Sequence, residues 1–175
     1  MMDALFETWL TREDSNYEEQ YFEPVVEELC QFRGGSTDTR MSKGKIFNAG
    51  YEVFIYAFFL GLYSDERTPL KGGTRKFRMP MSLWGRKSTE IGRESYTILQ
   101  KYIFIALIAK SDVDLIALDK GDLDVEDVCK ELMNTLNEYA NTGFRIIANE
   151  LKNNPTSFFE NDGLLKFLKN FCIVG

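Results

Sequence analysis

The chain has 175 residues, 44% hydrophobic and 27% charged, which is the composition of a globular domain with a real core and excludes a disordered chain. It contains no histidine, which excludes the Ser–His triad, histidine-ligated metals and the usual general base. The net charge of −6 argues against a general nucleic-acid coat.

The charge is unevenly distributed along the chain. Residues 1–32 carry nine acids and one base, whereas residues 33–101 carry 13 bases and six acids. Within 67–87, here called the basic segment, there are seven bases and no acid. A local basic segment is compatible with phosphate binding even in an acidic protein.

The three cysteines, Cys30, Cys129 and Cys172, lie far apart and show no C-x-x-C spacing. This pattern predicts neither a disulfide framework nor a zinc site. We expect buried thiols in a reducing cytoplasm. The N-terminus has no basic stretch followed by a long apolar one, so no signal peptide is expected.

Two segments are predicted before the middle of the chain. Residues 3–10 form a short helix or stay part of a mobile terminus covering 1–16. Residues 17–32 have apolar side chains on one helical face and glutamates on the other, which predicts an amphipathic helix.

The strongest prediction is a central helix at about 44–63, capped by Ser42. Apolar side chains recur at steps of four, three, four and four, beginning at Phe47 and ending at Leu62. From Val53 onward the opposite face is apolar as well, so we expect a helix buried on all sides. The unbroken apolar run is well short of the roughly 20 residues that cross a bilayer, so no membrane contact is expected.

The pattern changes after this helix. Residues 64–90 are predicted as a basic loop or arm, and 70–84 within it as a short strand or extended segment. Helical periodicity returns in four segments: 91–109 with a fully buried run at 102–109, a short linker at 112–119, a long amphipathic helix at 124–151, and a last helix at 157–171.

These elements predict an all-α fold, with 1–175 as a single helical domain of five to six helices around the central one. The apolar content is sufficient for a symmetric homo-oligomer. No heptad seam is long enough to predict one.

Two glutamates within apolar helices, Glu52 and Glu138, are candidates for an acid–base pair in a hydrolase. The alternative is that each lies at a helix edge or pairs with an arginine such as Arg67, Arg78 or Arg145. Nothing in the sequence places the two carboxylates together.

The basic segment holds the candidate nucleic-acid-binding residues. Its bases would pair with phosphates, and Trp84 or Phe77 would stack on an unpaired base. The candidates are Arg67, Lys71, Arg75, Lys76, Arg78, Trp84, Arg86 and Lys87.

Two alternatives remain open for the charged segments. The basic segment would instead dock on the protein's own N-terminal acids, for example Glu18, Glu19 or Glu23. The acidic segment 17–32 would alternatively dock on a basic partner protein.

Two short motifs resemble those of a known family. The pattern F-x-x-A-x-x-L-G…R-x-P-L, from Phe54 to Leu70, resembles the signature of small Dnd-system-associated proteins. The stretch E-Y-A-N-x-G, from Glu138 to Gly143, is similar to a second stretch in that family. The resemblance covers about 46–151.

The resemblance implies a context, because such proteins are encoded beside bacterial DNA phosphorothioation and restriction genes. It implies no catalytic residues. We therefore expect a cytoplasmic, non-enzymatic accessory protein of a DNA-modification or defence system. It would need no cofactor or metal and would contact DNA or a DNA-processing partner through the basic segment.

Overall fold

The computed structural model describes residues 2–31, 44–89 and 94–172. It is a helix-dominated domain with a short β arm, which confirms the predicted fold class. The α-helices of the described residues include α1 (Met2–Leu10), α2 (Gly50–Ser64), α3 (Thr97–Lys110), α4 (Leu115–Lys120), α5 (Val125–Asn153) and α6 (Gly163–Cys172).

Short elements connect these helices. Strands β1 (Asn16–Glu18) and β2 (Thr74–Lys76) pair in a two-stranded sheet, so the predicted strand within 70–84 is confirmed. The other short elements are a π-helix at Phe22–Glu27 and 3₁₀ turns at Glu19–Tyr21, Met81–Leu83 and Ser157–Phe159.

The domain consists of two compact units. The first comprises Met1–Asn16 and Lys76–Leu136, and the second comprises Tyr17–Arg75 and Asn137–Gly175. The basic segment is therefore divided between them, with three of its bases in the second unit and four in the first.

The first unit is built around aromatic side chains of α1 and α3. Leu5 and Trp9 of α1 are fully buried, which confirms the helical interpretation of 3–10. The Phe104 ring of α3 lies with its centroid 5.1 Å from that of Phe6 and 5.6 Å from that of Trp9. Because aromatic pairs at this separation attract each other, these contacts stabilise the packing of α1 on the unit.

One prediction for α3 is wrong. The run 102–109 was expected to be fully buried, but only Ile103, Phe104 and Leu107 within it are buried. Tyr102 and Ile105 are 62% and 58% exposed. The helix is apolar on all sides but packs only one face on the unit's core. It begins at Thr97, and the predicted residues 91–93 lie outside the described part of the chain.

The second unit is organised around a close crossing of α2 and α5. A Cβ atom on Gly61 would overlap the backbone carbonyl of Tyr139, and one on Gly143 would overlap the carbonyl of Ala57. Glycine is therefore required at both positions because the two backbones touch. Gly143 lies within an unbroken helix, so it marks a crossing and not a break.

The two motifs of the family resemblance contact each other at this crossing. The Thr68 amide donates to the Glu138 carbonyl (3.3 Å), and Asn141 Nδ2 donates to the Thr68 carbonyl (3.2 Å). The hydroxyls of Thr68 and Thr142 lie 2.8 Å apart. The motif residues thus build one packed contact, which is an architectural role.

The central helix begins later than predicted, at Gly50 and not near 44. The amides of Ile46 and Phe47 donate to the Leu29 carbonyl (both 2.9 Å), and Phe47 bridges to Cys30. Phe47 is bridged in this way and Ala49 has an extended backbone (φ −149°, ψ 153°), so the helix begins only after them. The predicted cap Ser42 lies outside the described residues.

The segment 17–32 is not one amphipathic α-helix. Its first residues pair with β2, and a 3₁₀ turn and a π-helix follow. Pro24 has no amide hydrogen and its ring clashes with the carbonyl four residues earlier in an α-helix, which disfavours regular α-helix there. Phe32, the predicted end, lies beyond the described residues.

The later helices follow the predicted order. The Asp114 carboxylate accepts from the amides of Ile116 and Ala117 (both 2.9 Å), and left-handed Gly121 ends α4. The predicted last helix is interrupted by the 3₁₀ turn Ser157–Phe159. Asp162 has a φ of 60°, so α6 starts only at Gly163.

Candidate nucleic-acid interface

Arg67 is engaged by an acid of its own unit. Its Nε and Nη2 atoms lie 2.9 Å and 2.8 Å from Glu138 Oε2, and its guanidinium lies 5.9 Å from the centre of the Tyr139 ring. The alternative interpretation of Glu138 as the partner of an arginine is confirmed. A charge neutralised in this way contributes less to phosphate binding.

Arg75 is also paired with an acid, although both side chains remain partly exposed. Its Nη2 atom lies 3.2 Å from Glu19 Oε1, and its guanidinium sits 3.7 Å from the centre of the Phe22 ring. The Glu19 amide donates to the Gly73 carbonyl (2.8 Å), which fixes the two chain segments together. For Arg75, docking of the basic segment on the protein's own acids is therefore observed.

Lys71 contributes its backbone to the same contact. Its amide donates to Glu18 Oε1 (2.7 Å), while its side chain is exposed beside a shallow polar cavity. The cavity is lined by Glu18, Glu19, Gln20, Lys71 and Gly73. Its two carboxylates make it unsuitable for a phosphate.

The remaining bases lie on the first unit, on a turn that runs from 76 to 87. Lys76, Arg78, Arg86 and Lys87 are all exposed. Among the described residues, no carboxylate forms an ion pair with Lys76 or Arg78. Lys87 lies 3.3 Å from Glu94, but both side chains are mostly exposed, and such pairs contribute little.

This turn is fixed by buried groups beneath it. Gln100 Nε2 donates to the carbonyls of Met81 (2.9 Å) and Trp84 (2.8 Å), and the Phe77 amide donates to the Ser15 carbonyl (3.1 Å). The Met81 amide donates to the Arg12 carbonyl (3.1 Å). The exposed bases therefore project from a backbone that is anchored at several points.

Arg78 has an unusual backbone conformation. Its φ is 50°, in the left-handed region that side chains other than glycine and asparagine seldom adopt. Such strain persists only where surrounding contacts impose it, and it occurs often at functional positions. Here it orients a cationic side chain outward from the turn.

Trp84 is wrongly placed among the stacking candidates. It is 1% exposed, its Nε1 donates to the Met79 carbonyl (3.3 Å), and its ring meets that of Phe77 at a centroid distance of 5.4 Å. A nucleobase cannot reach it. Its role is to stabilise the turn by packing beneath it. The sequence does not distinguish this buried role from a surface role.

The two candidate acid–base residues each have another role. Glu138 pairs with Arg67, and Glu52 Oε2 accepts from the Asn48 amide (2.8 Å) near the start of α2. Glu52 thus resembles the acid of a capping box, which satisfies an amide before the helix. The geometry gives no support to a carboxylate-dependent hydrolase.

The described thiols are inert at neutral pH. Burial raises the pKa of Cys30 to about 12 and that of Cys129 to about 11. Neither approaches the depressed pKa of a nucleophilic cysteine. The expectation that these two cysteines are buried and unbridged is confirmed, and the side chain of Cys172 lies outside the described residues.

The described residues include no helix long and apolar enough to cross a membrane. They also include no group of three cysteine or carboxylate side chains that would hold a metal ion. No protein-family model, curated protein or solved structure matches the chain.

Proposed function

We propose that this protein contacts nucleic-acid phosphates through Lys76, Arg78, Arg86 and Lys87, here called the basic turn. It acts as a non-enzymatic, cytoplasmic accessory protein of a bacterial DNA-modification or defence system. The observation that supports the proposal is the exposure of four bases on an anchored turn, while Arg67 and Arg75 are held by acids.

The anchored backbone matters because binding costs conformational entropy. Long basic side chains lose conformational entropy when they bind a phosphate. Because the backbone is already fixed, the loss is limited to the side chains. Four bases neutralise about four phosphates at most, so affinity is modest and falls steeply with salt. Such contacts read the phosphate backbone and not the base sequence.

The genomic context comes from the resemblance to Dnd-system-associated proteins. Those proteins are associated with DNA phosphorothioation, in which a backbone oxygen of DNA is replaced by sulfur. A turn that binds the DNA backbone is consistent with an association with DNA phosphorothioation. The acidic segment 17–32 as a docking surface for a basic protein stays a separate prediction.

The direct test is fluorescence anisotropy with labelled duplex, nicked and single-stranded DNA. We expect K76A/R78A/R86A to weaken binding to all three at least tenfold, because three phosphate contacts are lost. The matched control is K120A/K166A/K169A, which removes three charges from other exposed side chains. It should bind within about twofold of the wild type.

Two outcomes would contradict the proposal. One is the absence of binding by the wild type at low salt. The other is equal weakening by the test and control variants, which would mean that only net charge matters.

A further inference from the structure

Arg78, in the basic turn, has a backbone conformation that does not suit its side chain. Its φ of 50° lies in the left-handed region. Among the described residues, the other non-glycine positions with a positive φ are Asp65 and Asp162. Aspartate adopts this region several times more often than most side chains do, because its short polar group bonds to the nearby backbone. Arginine has no such local compensation.

Contacts on both sides of Arg78 impose this conformation. The Phe77 amide donates to the Ser15 carbonyl (3.1 Å), and Trp84 Nε1 donates to the Met79 carbonyl (3.3 Å). Ser15 and Trp84 are both buried, at 0% and 1% exposure. The peptide groups before and after Arg78 are therefore fixed to the core of the first unit, and residue 78 must adopt the backbone that joins them.

The turn requires this backbone at position 78 but does not require an arginine there. Glycine adopts a positive φ without the clash of a Cβ atom. The Arg78 side chain is exposed, and among the described residues no carboxylate forms an ion pair with it. Residues with a strained backbone occur often at ligand-binding positions, so this outlier indicates a residue whose side chain serves binding.

We propose that Arg78 is the anchor of the basic turn, and that its guanidinium binds one internal phosphodiester of the nucleic acid through two parallel hydrogen bonds. Lys76, two residues earlier, contributes a point charge. A guanidinium presents two N–H groups in one plane, which match two oxygens of a phosphate, whereas an ammonium does not. This assignment rests on the proposed phosphate contact and adds the geometry that one position demands.

The fixed backbone favours such a contact. Two parallel hydrogen bonds need a donor group that points in one direction. Because the peptide groups on both sides of Arg78 are held, the direction of its Cα–Cβ bond is set before binding. Only the side-chain torsions are then ordered when the phosphate is bound, which lowers the entropic cost.

The first test exchanges the two kinds of base in the full chain. Fluorescence anisotropy uses a labelled duplex whose unlabelled ends are hydroxyl groups, so that the phosphates offered are internal. R78K keeps the charge but loses the planar pair of donors, so we expect about fivefold weaker binding with an unchanged salt slope. In the matched control K76R, a point charge replaces a point charge, and binding should stay within about twofold of the wild type.

The second test removes the side chain. R78A and R78G both lose the guanidinium, so each should bind about tenfold more weakly and lose about 0.9 of the salt slope. D162G alters another exposed residue with a positive φ (60°) outside the basic turn. It should bind within about twofold of the wild type.

Thermal unfolding of the same variants tests the strain. R78A keeps a Cβ atom in the left-handed region and R78G does not, so R78G should unfold about 2 °C above R78A. Lys76 lies in strand β2, where glycine is less stable than alanine, so K76G should unfold below K76A. The reversed order at the two positions separates backbone strain from the loss of charge.

The outcomes distinguish the two proposals. If the wild type does not bind at low salt, or if K76A/R78A/R86A binds as its control does, the phosphate contact and the role of Arg78 both fail. If the turn binds DNA but R78K binds within twofold of the wild type, only the role of Arg78 fails. That role also fails if R78G unfolds below R78A, or if binding requires a terminal phosphate on the duplex.

Discussion

The buried carboxylate of Glu18 shows how much one polar side chain can determine in the second unit. Glu18 is 5% exposed, and its carboxylate accepts hydrogen bonds from the Lys71 amide (2.7 Å), from Asn141 Nδ2 (3.1 Å) and from Gln20. Burying a charge is costly unless donors surround it. These donors tie β1 to the segment after α2 and to α5.

We predict that Asn141→Leu lowers the free energy of unfolding by about 3 kcal/mol, because it removes a donor from a buried carboxylate. Urea denaturation measures the loss. The matched control is Asn154→Leu, an exposed asparagine whose Nδ2 lies 3.1 Å from Glu150. The account is wrong if the two substitutions cost the same.

The buried thiol of Cys30 makes stability depend on alkaline pH. Burial raises its pKa from 9.0 to about 12, so the unfolded chain loses this proton more readily than the folded one. The contribution is fully present below pH 9 and is lost as the pH rises toward 12. Each such group changes the free energy of unfolding by up to about 1.4 kcal/mol per pH unit.

Chemical denaturation at several pH values between 8 and 11 checks this expectation. Unfolding free energy should fall as the pH rises, and the decline should be shallower in Cys30→Ala. Cys129 and Tyr17, whose pKa values burial also raises, account for part of the remaining decline. An identical slope in the variant would contradict the assignment.

At the scale of single residues, the sequence predicts charge better than burial. The bases of the turn at Lys76 and Arg78 are exposed, as their charge predicts. The burial of Trp84 could not be predicted, because an aromatic residue among bases gives the same sequence pattern whether its ring is buried or exposed. Arg75 was a phosphate candidate but lies on Phe22 and Glu19, a pairing set by tertiary structure.

At the scale of elements, the crossing of α2 and α5 depends on two glycines without side chains. The backbone of each helix occupies the space that a Cβ atom on the other would need, at Gly61 and at Gly143. A backbone carbonyl cannot rotate away as a side chain can. In the sequence, Ala57 and Gly61 lie one helical turn apart, which permits a close contact, but the sequence does not identify the partner.

We predict that Gly143→Ala destabilises the protein by about 3 kcal/mol, although alanine favours a helix by about 1 kcal/mol. Thermal unfolding followed by circular dichroism measures the change. In the control Gly73→Ala, the nearest atom is the carboxylate oxygen of exposed Glu19 at 3.3 Å, which can move aside. A Gly143→Ala variant as stable as this control would disprove the crossing.

The ends of helices could be predicted where a side chain caps them, but not where tertiary contacts determine the position of the end. Asp114 and Gly121 bound α4 as their local chemistry predicts. The start of α2 instead follows a segment that pairs with Leu29 and Cys30 and ends in extended Ala49. The exposure of Tyr102 and Ile105 was missed because a helix that is apolar all round gives no signal of which face remains outside.

At the scale of the whole molecule, the bases of the basic segment differ in whether an acid pairs with them. Glu19, in the turn after β1, pairs with Arg75, and Glu138 pairs with Arg67. The basic turn keeps its exposed bases. The net charge of −6 opposes binding to nucleic acid, so the proposed contact depends on these exposed bases.

The most direct test of this account is the salt dependence of DNA binding by the wild type and K76A/R78A/R86A. Each phosphate contact contributes about 0.9 to the slope of log affinity against log salt, so the variant should lose a slope of about 2 to 3. The control K120A/K166A/K169A should keep the wild-type slope. An unchanged slope in K76A/R78A/R86A would show that the basic turn does not contact phosphates.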